Sequence, residues 1–124
     1  MQKITSHKDL KVYQLAFEAT LQIQEITKSF PPEEKYSLTD QIRRSSRSVC
    51  ANLAEMWRRR RYPKSFISKI NDCETEAGET QVWLDLALAF AYIDQKTHND
   101  LYDKYEHIIA MLINMSNNPN KWTL

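Results

Sequence analysis

Apolar residues return every three or four positions along most of this chain, the period of amphipathic helices. The clearest run is Leu38, Ile42, Val49, Leu53 and Met56. On a wheel of about 100° per residue these positions fall within about 60° of one another. Leu101, Tyr105, Ile108, Leu112 and Met115 keep the alternating four-three spacing of a coiled-coil-like seam. Between these runs, Phe66, Ile70, Cys73, Ala77, Leu84, Ala87, Leu88 and Ala91 form a third inner face. Near the start, Leu10, Tyr13, Phe17 and Leu21 form one stripe, which Val12, Ala16, Ile23, Ile26 and Phe30 widen. The pattern predicts helices over about 6–30, 38–61, 63–93 and 95–116.

Punctuation supports those boundaries. Ser6 and Ser37 stand where helices would begin, each with an aspartate three residues on, Asp9 and Asp40, in the spacing of a capping box. Asp94 can cap the fourth helix, and Pro63 suits the first turn of the third. Pro31-Pro32 and Asn117-Asn118-Pro119 stop helices, because proline lacks a donor and restricts the residue before it. The chain has one glycine, Gly78, too few for the tight turns of a β protein. Gly78 itself reads as close helix packing or simple tolerance. The fold expected is all-α, an antiparallel up-down-up-down four-helix bundle over residues 1–116 with a tail at 117–124 in which Trp122 could dock. In the second hairpin, Cys50 and Cys73 come level, as do Glu55 and Lys69. The cysteines read as small apolar core residues before they read as a redox pair.

Composition adds little until charge is placed along the chain. Net charge is only +1 over 124 residues, enough for one domain. Yet residues 41–70 hold nine Lys or Arg and one acid, Glu55, whereas residues 71–124 hold nine Asp or Glu and three Lys. Such asymmetry points to an anionic partner or to helices pairing with their own acidic neighbours. The polar N-terminus has no signal-peptide pattern and no apolar run is long enough to cross a membrane, so a soluble, cytoplasmic protein without a membrane partner is expected.

His7, His98 and His107 are scattered and join no nucleophile–base–acid set. No Glu has His three residues on, as four-helix di-iron sites require, and there is no glycine-rich phosphate loop. A non-enzyme is expected, with no catalytic residue, metal or cofactor. All seven arginines lie between Gln41 and Arg61: Arg43, Arg44, Arg47, Arg58, Arg59, Arg60 and Arg61. Continued as a helix, Arg43, Arg47, Arg58 and Arg61 share a stripe away from the apolar one. Guanidinium is planar, bidentate and weakly hydrated, which suits phosphate. Two readings stand side by side. The arginines bind RNA or DNA, or they pair with Glu74, Glu76 and Glu79 and with acidic patches of an oligomer or partner. Trp57 and Tyr62 lie beside them and could stack on bases, with a core position the first reading for Trp57. Trp83, Val82 and Leu86 lie off the main inner stripe of the third helix and suggest an oligomer contact.

Several of these segments together resemble one family. Asp9-Leu10-Lys11-Val12-Tyr13, Phe30-Pro31, Gln41-Ile42-Arg43-Arg44-Ser45, Ser48-Val49 through Asn52-Leu53-Ala54-Glu55, and Ala91-Tyr92-Ile93 resemble the 23S rRNA intervening-sequence proteins, relatives of the accessory variability proteins of diversity-generating retroelements. The resemblance implies a small helical bundle assembled as a homopentamer. It also implies, for retroelement members, nucleic-acid binding in partnership with a reverse transcriptase. By the same resemblance Asn52 and Glu55 fix the second helix against its neighbours, and Arg43, Arg44 and Arg47 face a ligand or pore.

Overall fold

The apolar stripes find one another in a ring of four helices. The computed structural model describes residues 3–124. Met1 and Gln2, the first positions of the expected 1–116 domain, lie outside the described residues. In chain order the helices are α1 (Lys11–Thr27), α2 (Leu38–Arg58), α3 (Pro63–Ala89) and α4 (Gln95–Asn117), with short 3-10 turns at His7–Asp9, Pro32–Glu34 and Pro119–Lys121. No strand occurs among the described residues. Each helix packs on the next and α4 closes on α1, with α2 against α3 the most extensive seam. Bonds across the seams fix the directions. Thr27 meets Arg43 while Gln24 meets Arg47, so α1 and α2 run oppositely. Thr80 meets Ser45 while Lys69 meets Glu55, and Gln81 meets Glu106 while Asp85 meets His98, which sets α3 against both its neighbours in the same way. The expected all-α up-down-up-down bundle is what forms.

The stripes of α2 and α4 are buried as the spacing predicts: Leu38, Ile42, Val49, Leu53 and Met56 on one, Leu101, Tyr105, Ile108, Leu112 and Met115 on the other. On α3, Phe66, Ile70, Cys73, Ala77, Leu84 and Ala87 face inward, whereas Leu88 is half-buried and Ala91 exposed. On α1 only part of the expected face turns inward, with Leu10 and Phe30 buried on either side of the helix. Val12, Ala16, Ala19, Ile23 and Thr27 are buried, while Phe17 is 47% and Leu21 56% exposed. The inward face of α1 is thus built from small and β-branched residues, and the bulkier set is turned out. Midway along, a polar layer crosses the core. Thr20 bonds the Ser46 carbonyl at 3.3 Å, Thr80 donates to Ser45 Oγ at 2.8 Å, and the buried Tyr105 hydroxyl has no partner.

The ends depart from the periodicity for local reasons. The Ser6–Asp9 capping box forms, but it caps a single 3-10 turn. Leu10 is then extended, and α1 starts at Lys11. Ser37 makes no side-chain cap; Glu34 Oε1 accepts from the Leu38 backbone at 3.2 Å instead. Helix α2 stops at Arg58, three residues short of expectation, because Pro63 holds Tyr62 extended and the chain must turn before it. Helix α3 stops at Ala89, where Tyr92 N–H bonds Ala87 and Ala91 N–H bonds Leu88. That is a Schellman end with Ala91, at φ 62°, in the place usually held by glycine. Trp122 docks against the core, as its place in the tail allowed. The tail forms the Pro119–Lys121 turn, and Leu124 N–H bonds the Arg60 carbonyl at 2.9 Å.

Gly78 sits mid-helix with nothing within 4 Å of where a Cβ would be, which settles tolerance over close packing. Gly78→Ala is expected to stabilise the fold by about 0.5–1 kcal/mol, through helix propensity and a less flexible unfolded chain. Thermal denaturation should show a rise of a few degrees; a fall would contradict the open space found there.

Candidate nucleic-acid interface

The arginines fall into two groups. Arg43, Arg44 and Arg47 sit on the first half of α2, and Arg58 to Arg61 at its end. Arg44 and Arg58 are about 21 Å apart along the axis at 1.5 Å per residue. Because α2 ends at Arg58, the expected four-arginine stripe loses Arg61, which sits in the following turn.

The seven side chains also differ in what holds them. Arg43 is half-buried, and its Nε donates to Thr27 Oγ1 at 2.8 Å. The Thr27 hydroxyl in turn donates to the Ile23 carbonyl at 2.7 Å, so Arg43 is built into the α1–α2 seam. Arg60 lies 3.4 Å above the Trp57 ring, and its Nε donates to the Trp57 carbonyl at 3.0 Å. Desolvation there lowers its pKa below the usual arginine value, though a guanidinium stays charged at any physiological pH. Arg59 makes a long 3.5 Å bond to Ser65, and the exposed Arg47 donates one N–H to Gln24 at 3.0 Å. Arg44 stands 3.9 Å from Asp40, both well exposed. Arg58 and Arg61 point to solvent with no protein partner among the described residues. The C-terminal carbonyls of α2 answer part of the charge of the Arg58–Arg61 block. A cleft of about 360 Å³ there is lined by Trp57, Arg58, Arg60, Arg61, Tyr62 and Leu124.

The carboxylates lie elsewhere. Glu55 pairs with Lys69 across the α2–α3 seam at 2.6 Å, and Lys69 also reaches Asn52 Oδ1 at 3.4 Å and Asp72 at 3.7 Å. Hydrogen bonding to Lys69 lowers the Glu55 pKa. Asn52 and Glu55 thus tie α2 to α3. Among the described residues Glu74, Glu76 and Glu79 form no ion pair with an arginine within 4 Å; the one arginine–carboxylate pair is Arg44 with Asp40. Burial, then repulsion and hydrogen bonding from Glu79, raise the Glu76 pKa, and Arg44 offsets this only in part. A carboxyl raised on folding adds stability below its unfolded pKa, and that stability is lost as pH rises through the folded value. Glu76→Gln is therefore expected to stabilise the protein at pH 7 by less than about 1 kcal/mol and to have no such effect near pH 3. Denaturant melts at the two pH values check this.

Of the aromatic candidates, Trp57 is only 8% exposed and roofed by Arg60, so it belongs to the core, whereas Tyr62 is 62% exposed beside the arginine cleft. Sequence reasoning missed Tyr13 and Phe17 by placing them inside. Their rings lie 6.0 Å apart along α1, Tyr13 half-buried against the core and Phe17 exposed, and His7 continues the row 4.8 Å from Tyr13. The signal was present: α1 has more large apolar residues than one stripe can hold. At the other end of the bundle, Val82 is 51% exposed and Leu86 half-buried, with Phe90 52% exposed beyond them. Trp83 packs partly against the core, and its indole N–H is buried without a partner.

The remaining polar groups have local duties. Asp94 Oδ1 caps α4 through Thr97, His98 Nε2 lies 2.7 Å from Asp85, and His107 bonds the Asp103 carbonyl. Among the described residues no group of three or more His, Cys, Asp or Glu could hold a metal ion. Cys50 and Cys73 are free thiols. Burial raises the pKa of both, that of Cys73 to about 12, so they are protonated at neutral pH. No helix among the described residues is long and apolar enough to cross a membrane.

Comparison with known proteins agrees with this geometry. The family model for the 23S rRNA-intervening sequence protein matches residues 8–114. No curated protein matches the chain significantly. Among solved structures, a 1.70 Å crystal structure of a protein with unknown function from the S23 ribosomal protein family of Bacteroides thetaiotaomicron is similar, with 28% identity and a TM-score of 0.77. The match covers 85% of this chain and 97% of that one.

Proposed function

We propose that this chain, which belongs to the 23S rRNA-intervening sequence protein family, is a non-enzymatic nucleic-acid-binding protein. Its phosphate contacts are the free guanidinium groups of Arg44, Arg47, Arg58 and Arg61. The observation that carries this is the near-absence of internal acidic partners: one arginine of seven has a carboxylate within 4 Å, at 3.9 Å and solvent-exposed. The lysines that tie the helix seams, Lys69 and Lys104, are paired with carboxylates, and the structural arginines Arg43 and Arg60 are held by Thr27 and Trp57. Arg43 and Arg60 hold the scaffold and are expected to contribute less to binding.

The test compares oligonucleotide binding by wild type and by Arg47→Gln/Arg58→Gln across salt concentrations. Losing two phosphate contacts should flatten the slope of log K against log salt by about 1.4–1.8. The melting temperature should stay put, since neither side chain packs in the core. An unchanged slope in the folded variant would remove both residues from the interface.

A second reading, an oligomeric protein–protein scaffold, draws on the exposed Val82, Leu86 and Phe90 and the unpartnered Trp83 N–H. A pentamer is its first form. Light scattering that gives a monomer mass at micromolar concentration would sink it.

A further inference from the structure

The α1–α2 face carries aromatic rings as well as arginines, and its charges are segregated. Three carboxylates of the two helices are paired with lysines, and the fourth, Asp40, stands 3.9 Å from Arg44 near the start of α2, outside the Arg47–Arg58 interval. Glu18 meets Lys104 of α4 at 3.2 Å, Glu25 meets Lys28 at 2.9 Å, and Glu55 meets Lys69 of α3 at 2.6 Å. What remains on the face is Arg47, Arg58, Tyr13 and Phe17. The register of the seam, set by Thr27 with Arg43 and Gln24 with Arg47, brings Phe17 level with the Leu53–Ala54 turn and Tyr13 level with Trp57–Arg58. Arg47 and Arg58 are about 16 Å apart along α2, and the two rings lie in that interval. Across from them α2 offers small residues, an exposed Ala51 and a half-buried Ala54, which leave Phe17 47% exposed and Tyr13 half-buried. A shallow depression of about 470 Å³ lined by Lys8, Tyr13, Gln14 and Phe17 adjoins them.

Flat rings flanked by guanidinium groups, with no acid between, suit unstacked bases on a phosphate backbone. A duplex hides the faces of its bases, and only single strands or splayed-out bases can stack on side chains. We infer that this face binds single-stranded nucleic acid, with bases stacking on Phe17 and Tyr13 while phosphates meet Arg47 and Arg58. The inference rests on the nucleic-acid reading above and adds the strand state and the stacking residues.

The experiment measures binding of a labelled single strand and of a duplex of the same length, at one salt concentration, by wild type, Phe17→Ala and Leu21→Ala. Leu21 is an exposed apolar neighbour without a ring, and neither residue is in the core. Wild type should prefer the single strand. Phe17→Ala should weaken single-strand binding by about five- to a hundredfold, the usual range for losing one stacked base. Duplex binding and the salt slope should not change, and Leu21→Ala should behave as wild type. Equal loss for both variants, with a change in particle mass, would make the face a contact between protein chains and overturn the inference. Equal wild-type affinity for the two strand forms would overturn it while leaving the arginine reading intact. No binding of either form by wild type would reject both.

Discussion

Trp57→Ala is expected to cost about 3–5 kcal/mol, the usual range for removing a large buried aromatic. The indole is 8% exposed at the end of α2. The Arg60 guanidinium stacks on its ring at 3.4 Å, and Arg60 Nε holds the Trp57 carbonyl. The Arg60 carbonyl in turn receives the Leu124 N–H, so the tail depends on the same corner. For a domain of this size the melting temperature should fall by roughly 10–20 °C. Proteolysis within residues 117–124 should speed up at temperatures where the bundle still holds. A loss below about 1 kcal/mol would mean that Trp57 is a surface ring after all, available to a ligand.

Replacing Arg44, Arg47, Arg58 and Arg61 together by Gln should reduce nucleic-acid affinity by roughly a thousandfold at 0.1 M salt. Each phosphate contact contributes about 0.7–0.9 to the salt slope, so each is worth about five- to eightfold between 1 M and 0.1 M. The fold should survive. Arg58 and Arg61 have no protein partner among the described residues, Arg47 gives up one exposed bond to Gln24, and Arg44 gives up a loose pair with Asp40. Adding Arg43→Gln is different in kind, because it removes the donor to Thr27 Oγ1 in the α1–α2 seam and should lower stability as well as charge. A quadruple variant that binds like wild type would shift the role of these side chains to protein contacts. Electrophoretic or anisotropy titrations at fixed salt, beside a thermal melt of the same sample, separate the two cases.

The bundle could be read from the sequence where one stripe was unambiguous. On α2 and α4 one stripe keeps a helical spacing along the helix, and every residue of it is buried. On α1 two stripes share the same four-residue spacing. Packing chose the one with Ala16 and Ala19 and left Phe17 outside. Periodicity cannot see that choice, because it depends on the neighbours. The end of α3 was hidden for another reason: its stop uses Ala91 in a left-handed conformation that alanine does not advertise. The arginine stretch was visible at once, yet its division was not. Which guanidinium groups are free depends on Thr27, Trp57 and Ser65, residues brought to them by folding. The aromatic row of Tyr13 and Phe17 followed from the same misassigned stripe.

The most direct measurement is the salt dependence of wild-type binding to a single-stranded oligonucleotide without regard to sequence. Four free arginines predict a slope of log K against log salt of about −2.8 or steeper, steeper still if several copies act together. A slope near zero, or no binding at 50 mM salt by a folded sample, would contradict phosphate recognition by these arginines.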